Sequence, residues 1–155
     1  MAYQFSGTYP AAEDLTQEIF LKLFTSLPKY DLGKNFTAWL FTLAKNHLID
    51  EYRSTKWEKT KRDDYDDRIL TSPTQESPEA DLLREESRKI VWESLNTLSS
   101  ETRMAVILRD IQGKTYEEIA EVLKLPLGTV KSRVNRGRLQ LAKILKEKKE
   151  GTDGL

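Results

Sequence analysis

Between Thr115 and Arg138 the chain concentrates side chains that can bond to nucleic acid. Lys131, Ser132, Arg133, Asn135, Arg136 and Arg138 follow one another closely, with Thr129 just ahead of them. Lys, Arg, Ser, Thr and Asn carry the donors and acceptors that match phosphate oxygens and base edges. The wider block from Lys124 to Lys149 holds nine basic residues and one acidic residue, Glu147. Such a block is the electrostatic footprint of a nucleic-acid site, with a solvated helical face or tail as its alternative. The net charge of zero conceals this asymmetry. Residues 1–85 carry eleven Lys and Arg against fifteen Asp and Glu, whereas residues 86–155 carry fourteen against ten.

Other chemistries are poorly supplied. There is no cysteine, which excludes a disulfide framework and a thiolate metal site. The one histidine, His47, lies near an apolar stripe and reads as structural. No phosphate loop or nucleophile elbow occurs, so neither enzyme activity nor a cofactor is expected. The carboxylates at Asp63, Asp64, Asp66 and Asp67 read as solvated charge. No apolar run approaches the roughly 18–20 residues of a membrane span, and no signal-peptide pattern opens the chain. A cytoplasmic protein without membrane insertion is the expectation.

The elements that must position these residues are helical throughout. Leu15, Ile19, Leu23 and Leu27 recur every four residues, with Pro10 suited to a first turn and Pro28 to a stop. Phe36, Leu40, Leu43 and Leu48 form a second stripe, and Tyr30–Asn35 is the loop between the two. Lys56–Arg68 is dense in charge and Thr71–Pro78 rich in Thr, Ser and Pro, which predicts a flexible linker. Helical pattern then resumes, with Ser99 and Ser100 as caps and Gly113 as a stop. Thr115-Tyr116-Glu117-Glu118 is a capping box, in which Thr and Glu satisfy free backbone N–H groups reciprocally. Lys124–Pro126 breaks the pattern before a final helix with Val130, Val134, Leu141 and Leu145 on one side. A short capped helix, a tight turn and a basic second helix make a helix-turn-helix. The fold class is therefore all-α: two small helical domains joined by a flexible linker, the second containing a helix-turn-helix. The expected boundaries are 1–56, a linker at 57–80, 81–148, and a tail at 149–155.

The run from Leu125 to Arg138, with its lead-in Tyr116-Glu117-Glu118-Ile119-Ala120, resembles region 4 of the extracytoplasmic-function (ECF) sigma factors. That resemblance implies recognition of the minus-thirty-five promoter element. Thr129, Lys131, Ser132, Asn135 and Arg136 become candidates for base-edge contacts, and Thr115, Tyr116, Arg133 and Arg138 for phosphate contacts. Lys124 departs from the family pattern, which usually has glycine there; a positive φ would cost lysine about 1 kcal/mol.

Residues 12–53 resemble regions 2.2 to 2.4 of the same family, through Ala12–Phe20, Phe36–Leu40 and Ala44–Arg53. The resemblance implies that Asp14, Gln17 and Glu18 dock on the clamp helices of the polymerase beta-prime subunit. It also implies that Tyr30–Phe36 and the following helix capture an unstacked minus-ten base, with Lys45, Asn46, Arg53 and Lys56 as donors. Trp39 reads as core packing, and Asp50 as a helical partner for Arg53 or Lys45. Met1–Gly7 matches only the end of region 2.1. Implied partners are promoter DNA, core RNA polymerase (beta-prime clamp helices and beta flap) and an anti-sigma factor. The alternative is a stand-alone helix-turn-helix regulator, dimeric on paired half-sites, which would have no use for the Asp14–Glu18 pattern.

Overall fold

A computed structural model describes residues 1–59 and 78–153. Seven helices run in order: α1 Ala2–Ser6, α2 Tyr9–Ser26, α3 Phe36–Lys59, α4 Pro78–Asn96, α5 Ser100–Val106, α6 Tyr116–Leu123 and α7 Leu127–Asp153. A 3-10 turn, Leu27–Lys29, follows α2, and α5 continues as a π-helical turn, Ile107–Ile111. No strand occurs among the described residues. Helix reaches into both ends of the expected linker, with residues 57–59 in α3 and 78–80 in α4. The rest of that linker lies outside the described residues. Helix α7 runs on to Asp153, into the expected tail.

Local chemistry sets several boundaries. Pro10 sits in the first turn of α2, where its missing N–H costs nothing. Ser99 caps α5 by accepting the Thr102 N–H. The π-turn closes where the Gln112 N–H reaches back five residues to the Ile107 carbonyl, 2.9 Å away. Gly113 leaves that turn at φ 66°, a left-handed conformation that suits glycine.

The second half is built on Met104, Ile107, Leu108, Ile119, Val122, Val130 and Val134, all nearly or wholly buried. Leu95, Leu98 and Val106 extend the packing towards Leu141 on α7. Gly137 allows α5 and α7 to approach, because a Cβ there would fall 2.6 Å from Val106 Cγ2. The first half does not keep a separate core. Phe5 of α1 and Leu48 of α3 join the same buried cluster, and Ala38 and Phe41 of α3 pack against it. No helix among the described residues is long and apolar enough to cross a membrane.

Candidate nucleic-acid interface

The helix-turn-helix is α6, the turn at Lys124–Pro126, and the start of α7. At its entrance the Glu118 N–H donates to Thr115 Oγ1 at 3.1 Å, and the Thr115 N–H donates to Glu118 Oε2 at 2.8 Å. The Thr115 backbone amide holds the Glu118 carboxyl below its ordinary range; partial desolvation opposes this, and Lys114 adds to it. Lys124 occupies the left-handed region at φ 53°, ψ 48°, as the turn demands. Its N–H donates to the Ala120 carbonyl, as does the Leu125 N–H at 3.1 Å.

Val130 and Val134 are fully buried and fix the rotation of α7. That rotation leaves Lys131, Ser132, Asn135 and Arg136 exposed together, while Thr129 and Arg133 are half-buried at the margin. Two successive turns of one helix thus offer amide, hydroxyl, ammonium and guanidinium groups on one face. Tyr116 anchors the flank. Lys131 Nζ lies 5.8 Å from its ring centroid, and the Arg109 guanidinium 4.6 Å. Arg138 joins this flank through Asp110, with Nε 3.0 Å from Oδ2 and Nη2 bonded to Oδ1. The Asp110 contact raises the already high pKa of Arg138, so its charge is permanent. Arg109 and Asp110 escaped the sequence reading because they sit ahead of the motif and reach it only through folding.

The predicted residues of the first half are distributed differently. Asp14, Gln17 and Glu18 are exposed on α2. Glu18 has a second task, since its Oε2 accepts from His47 Nε2 at 2.7 Å. Lys22 Nζ lies 2.8 Å from His47 Nδ1 on the other side of the ring. His47 is buried, as its structural reading expects. Glu51 brings a third ligand-type atom near Glu18 and His47, all within 4.8 Å of one another. Both ring nitrogens of His47 are already engaged by protein groups.

Of the minus-ten candidates, Asn46 is exposed, and the Lys56 side chain lies outside those described. Lys45 is half-buried; burial pushes its ammonium below the ordinary range and the nearby Lys124 adds to that, while Asp50 opposes. Arg53 is paired through Nη2 with Glu101 Oε1 at 2.8 Å, across to α5, rather than with Asp50. Trp39 is half-buried and packs at a tilt against Tyr30 and Phe36, centroids 4.8 and 5.7 Å away, forming an aromatic cluster at the loop.

Comparison with known families assigns both halves. The Sigma-70 region 2 model matches residues 1–58, and the Sigma-70, region 4 model matches residues 88–141. The ECF RNA polymerase sigma factor EcfG of Rhodopseudomonas palustris is 35% identical over 144 residues, covering 93% of this chain and 76% of that protein. This chain belongs to the ECF sigma factors of the sigma-70 family. Another ECF sigma factor, SigE of Mycolicibacterium smegmatis, is 38% identical over 94% of the chain. The chain spans 56% of the length of that relative. Among solved structures, the sigma factor RpoE of Bartonella quintana, in complex with the anti-sigma factor NepR, is similar at TM-score 0.70 and 32% identity. That match covers 94% of this chain and 87% of RpoE. In these terms α1–α3 constitute region 2, and α4–α7 contain region 4.

Proposed function

We propose that this sigma factor binds core RNA polymerase and directs promoter-specific initiation of transcription. Region 4 takes the minus-thirty-five element and region 2 the minus-ten element. One observation carries the first part: Lys131, Ser132, Asn135 and Arg136 are displayed together on α7, behind a capped α6. Base-edge contacts fall to Thr129, Lys131, Ser132, Asn135 and Arg136. Phosphate contacts fall to Thr115, Tyr116, Arg133 and Arg138. In region 2, Lys45, Asn46, Arg53 and Lys56 serve the minus-ten strand, and the Tyr30–Phe36 loop presents aromatic faces for an unstacked base. Asp14, Gln17 and Glu18 dock on the beta-prime clamp helices, and region 4 on the beta flap. The functional units are 1–56 and 81–148, with a linker at 57–80 and a tail at 149–155.

The protein works by binding rather than by catalysis, in the cytoplasm beside the polymerase. An anti-sigma factor is a further partner, supported by the complex in which the similar RpoE was solved. The match to region 2 favours this reading over a stand-alone helix-turn-helix regulator. Affinity selection from a random duplex library tests the DNA-reading half. Enrichment of one motif by the wild-type chain, lost in Arg136→Ala, supports it; enrichment of no motif by the chain with polymerase present contradicts it.

A further inference from the structure

Glu18 and Lys22 lie one turn apart on α2, the spacing at which a carboxylate and an ammonium ordinarily pair with each other. Here they meet through the ring of His47, which reaches across from α3. Glu18 Oε2 is 2.7 Å from Nε2, and Lys22 Nζ is 2.8 Å from Nδ1. The His47 side chain is 4% exposed, whereas that of Glu18 is 51% exposed. An ammonium has hydrogens to give and no lone pair to receive one, so Lys22 donates and Nδ1 accepts. The ring proton therefore sits on Nε2 and is donated to Glu18. Both bonds are charge-assisted, and both end on a ring that packing holds in place.

A third group gives this contact something to oppose. The Glu51 carboxylate, one turn beyond His47 on α3, lies within 4.8 Å of both Glu18 and His47. Like charge at that range pushes Glu18 off, and Lys22 would draw it along its own helix. The Nε2–H bond resists both. Among the described residues it engages only Oε2 of Glu18, and no hydrogen bond takes Oε1. The same proton keeps Nε2 from ligating a metal ion, although Glu18, His47 and Glu51 are grouped as ligands would be.

We propose that His47 is a positioning residue for docking on the polymerase: polarised by Lys22, it holds the Glu18 carboxylate in one orientation on the exposed face of α2. The docking role of Glu18 belongs to the proposed function, on which this inference rests; the holding of Glu18 is a property of the chain alone. A carboxylate already fixed in place meets its partner with less side-chain freedom left to lose. Burial serves the role, because an exposed ring would share the mobility of the group it has to restrain. His47 is thus structural in its surroundings and functional in what it presents.

His47 is the one histidine of the sequence, so the imidazole nitrogen resonances of the full chain belong to it alone. At mildly alkaline pH the wild type should show a proton on Nε2 and none on Nδ1. The Hα–Hβ couplings of Glu18 should report a single rotamer. His47→Gln keeps an amide N–H for Glu18 and a carbonyl for Lys22, and should retain that rotamer and bind core polymerase as the wild type does. His47→Leu fills the buried space with neither group. It should average the Glu18 couplings and weaken polymerase binding by about three- to tenfold, the freedom of one flexible side chain. A Leu variant equal to the Gln variant in both measurements reduces His47 to core packing and overturns the proposal. So do averaged couplings in His47→Leu with unaltered binding. A proton on Nδ1 or an averaged Glu18 rotamer in the wild type also overturns it, and neither result depends on a variant that folds. Failure of the wild type to bind core polymerase contradicts the docking reading instead, and the Glu18 couplings still decide whether His47 holds that side chain.

Discussion

The Arg138 guanidinium of α7 is held by the Asp110 carboxylate of the π-helical turn, in a two-pronged contact beside Tyr116. A residue proposed to meet phosphate is thus already partnered by a carboxylate of its own chain. Asp110→Asn frees Arg138 and removes a negative charge near the duplex. Titration of duplex DNA by the variant should show several-fold tighter binding. Its dependence of log affinity on log salt should steepen by about 0.9, the slope of one added phosphate contact. Equal affinity and slope would place Arg138 outside the interface.

The Thr115 cap and its reciprocal Glu118 bond set the start of α6. Thr115→Ala should lower stability to denaturant by about 1 kcal/mol, the ordinary cost of losing such a cap. Because the Glu118 carboxyl is held below its ordinary range in the folded chain, its contribution is fully present above the unfolded value near 4.5 and is lost as pH falls through the folded one. The Glu118→Gln variant should therefore match the wild type more closely at pH 3 than at pH 7. A constant difference across that range would show that the carboxylate does no work there.

Glu101 follows the same direction at the seam between the regions. Partial burial tends to raise its carboxyl, but its own backbone amide, the Arg53 guanidinium and the Ser100 hydroxyl outweigh that and hold it below the ordinary range. Pairing with Arg53 is complete above about pH 4.5 and fails as pH falls through the lowered value. Arg53→Ala should therefore be slightly less stable than the wild type in urea at pH 7, by under about 1 kcal/mol as for other exposed pairs, and should converge with it as pH falls through the lowered value; a gap that persists at pH 3 would show that Arg53 acts through packing instead.

Lys124 carries the left-handed turn that glycine usually carries. The conformation costs an L-residue roughly 1–2 kcal/mol, and glycine gives back about 0.5–1 kcal/mol through its unfolded-state entropy. Lys124→Gly should therefore stabilise the chain by about 0.5 kcal/mol in urea unfolding. It also removes a cation facing Lys45. Net destabilisation would mean that the lysine makes a compensating contact.

On the recognition face, Asn135→Ala and Arg136→Ala should each cost about 1–3 kcal/mol on the preferred duplex and relax the choice of base at one position. Arg133→Ala, at the margin, should weaken all sequences alike. A uniform loss from Arg136→Ala would move that residue to the phosphate group.

What the sequence discloses follows from the range of the forces involved. The capping box, the Lys124 turn and the Val130, Val134 stripe are local and repeat with helical period, so their places are legible before folding. The contact of His47 with Glu18 is hinted at only by the apolar stripe around it. Arg103 gives no such signal: in its helix it looks like one more surface cation, and its burial arises from Phe5 and Tyr52, far away in the chain. The π-turn at Ile107–Ile111 is likewise invisible, because a five-residue hydrogen bond leaves the spacing of apolar residues almost unchanged. The family resemblance implies a docking face at Asp14, Gln17 and Glu18, and the structure adds that Glu18 supports His47. Asp14, which has no such task among the contacts described, is the cleaner residue for testing docking.

Initiation itself is the most direct test. Core RNA polymerase, the purified chain and a library of genomic fragments are combined, and the 5′ ends of the transcripts are mapped. Wild-type chain should create new start sites preceded by two shared sequence elements at fixed spacing. Asp14→Lys should reduce their yield by about tenfold or more, a loss of roughly 1.4 kcal/mol in polymerase binding. Start sites identical with and without the chain would contradict the account.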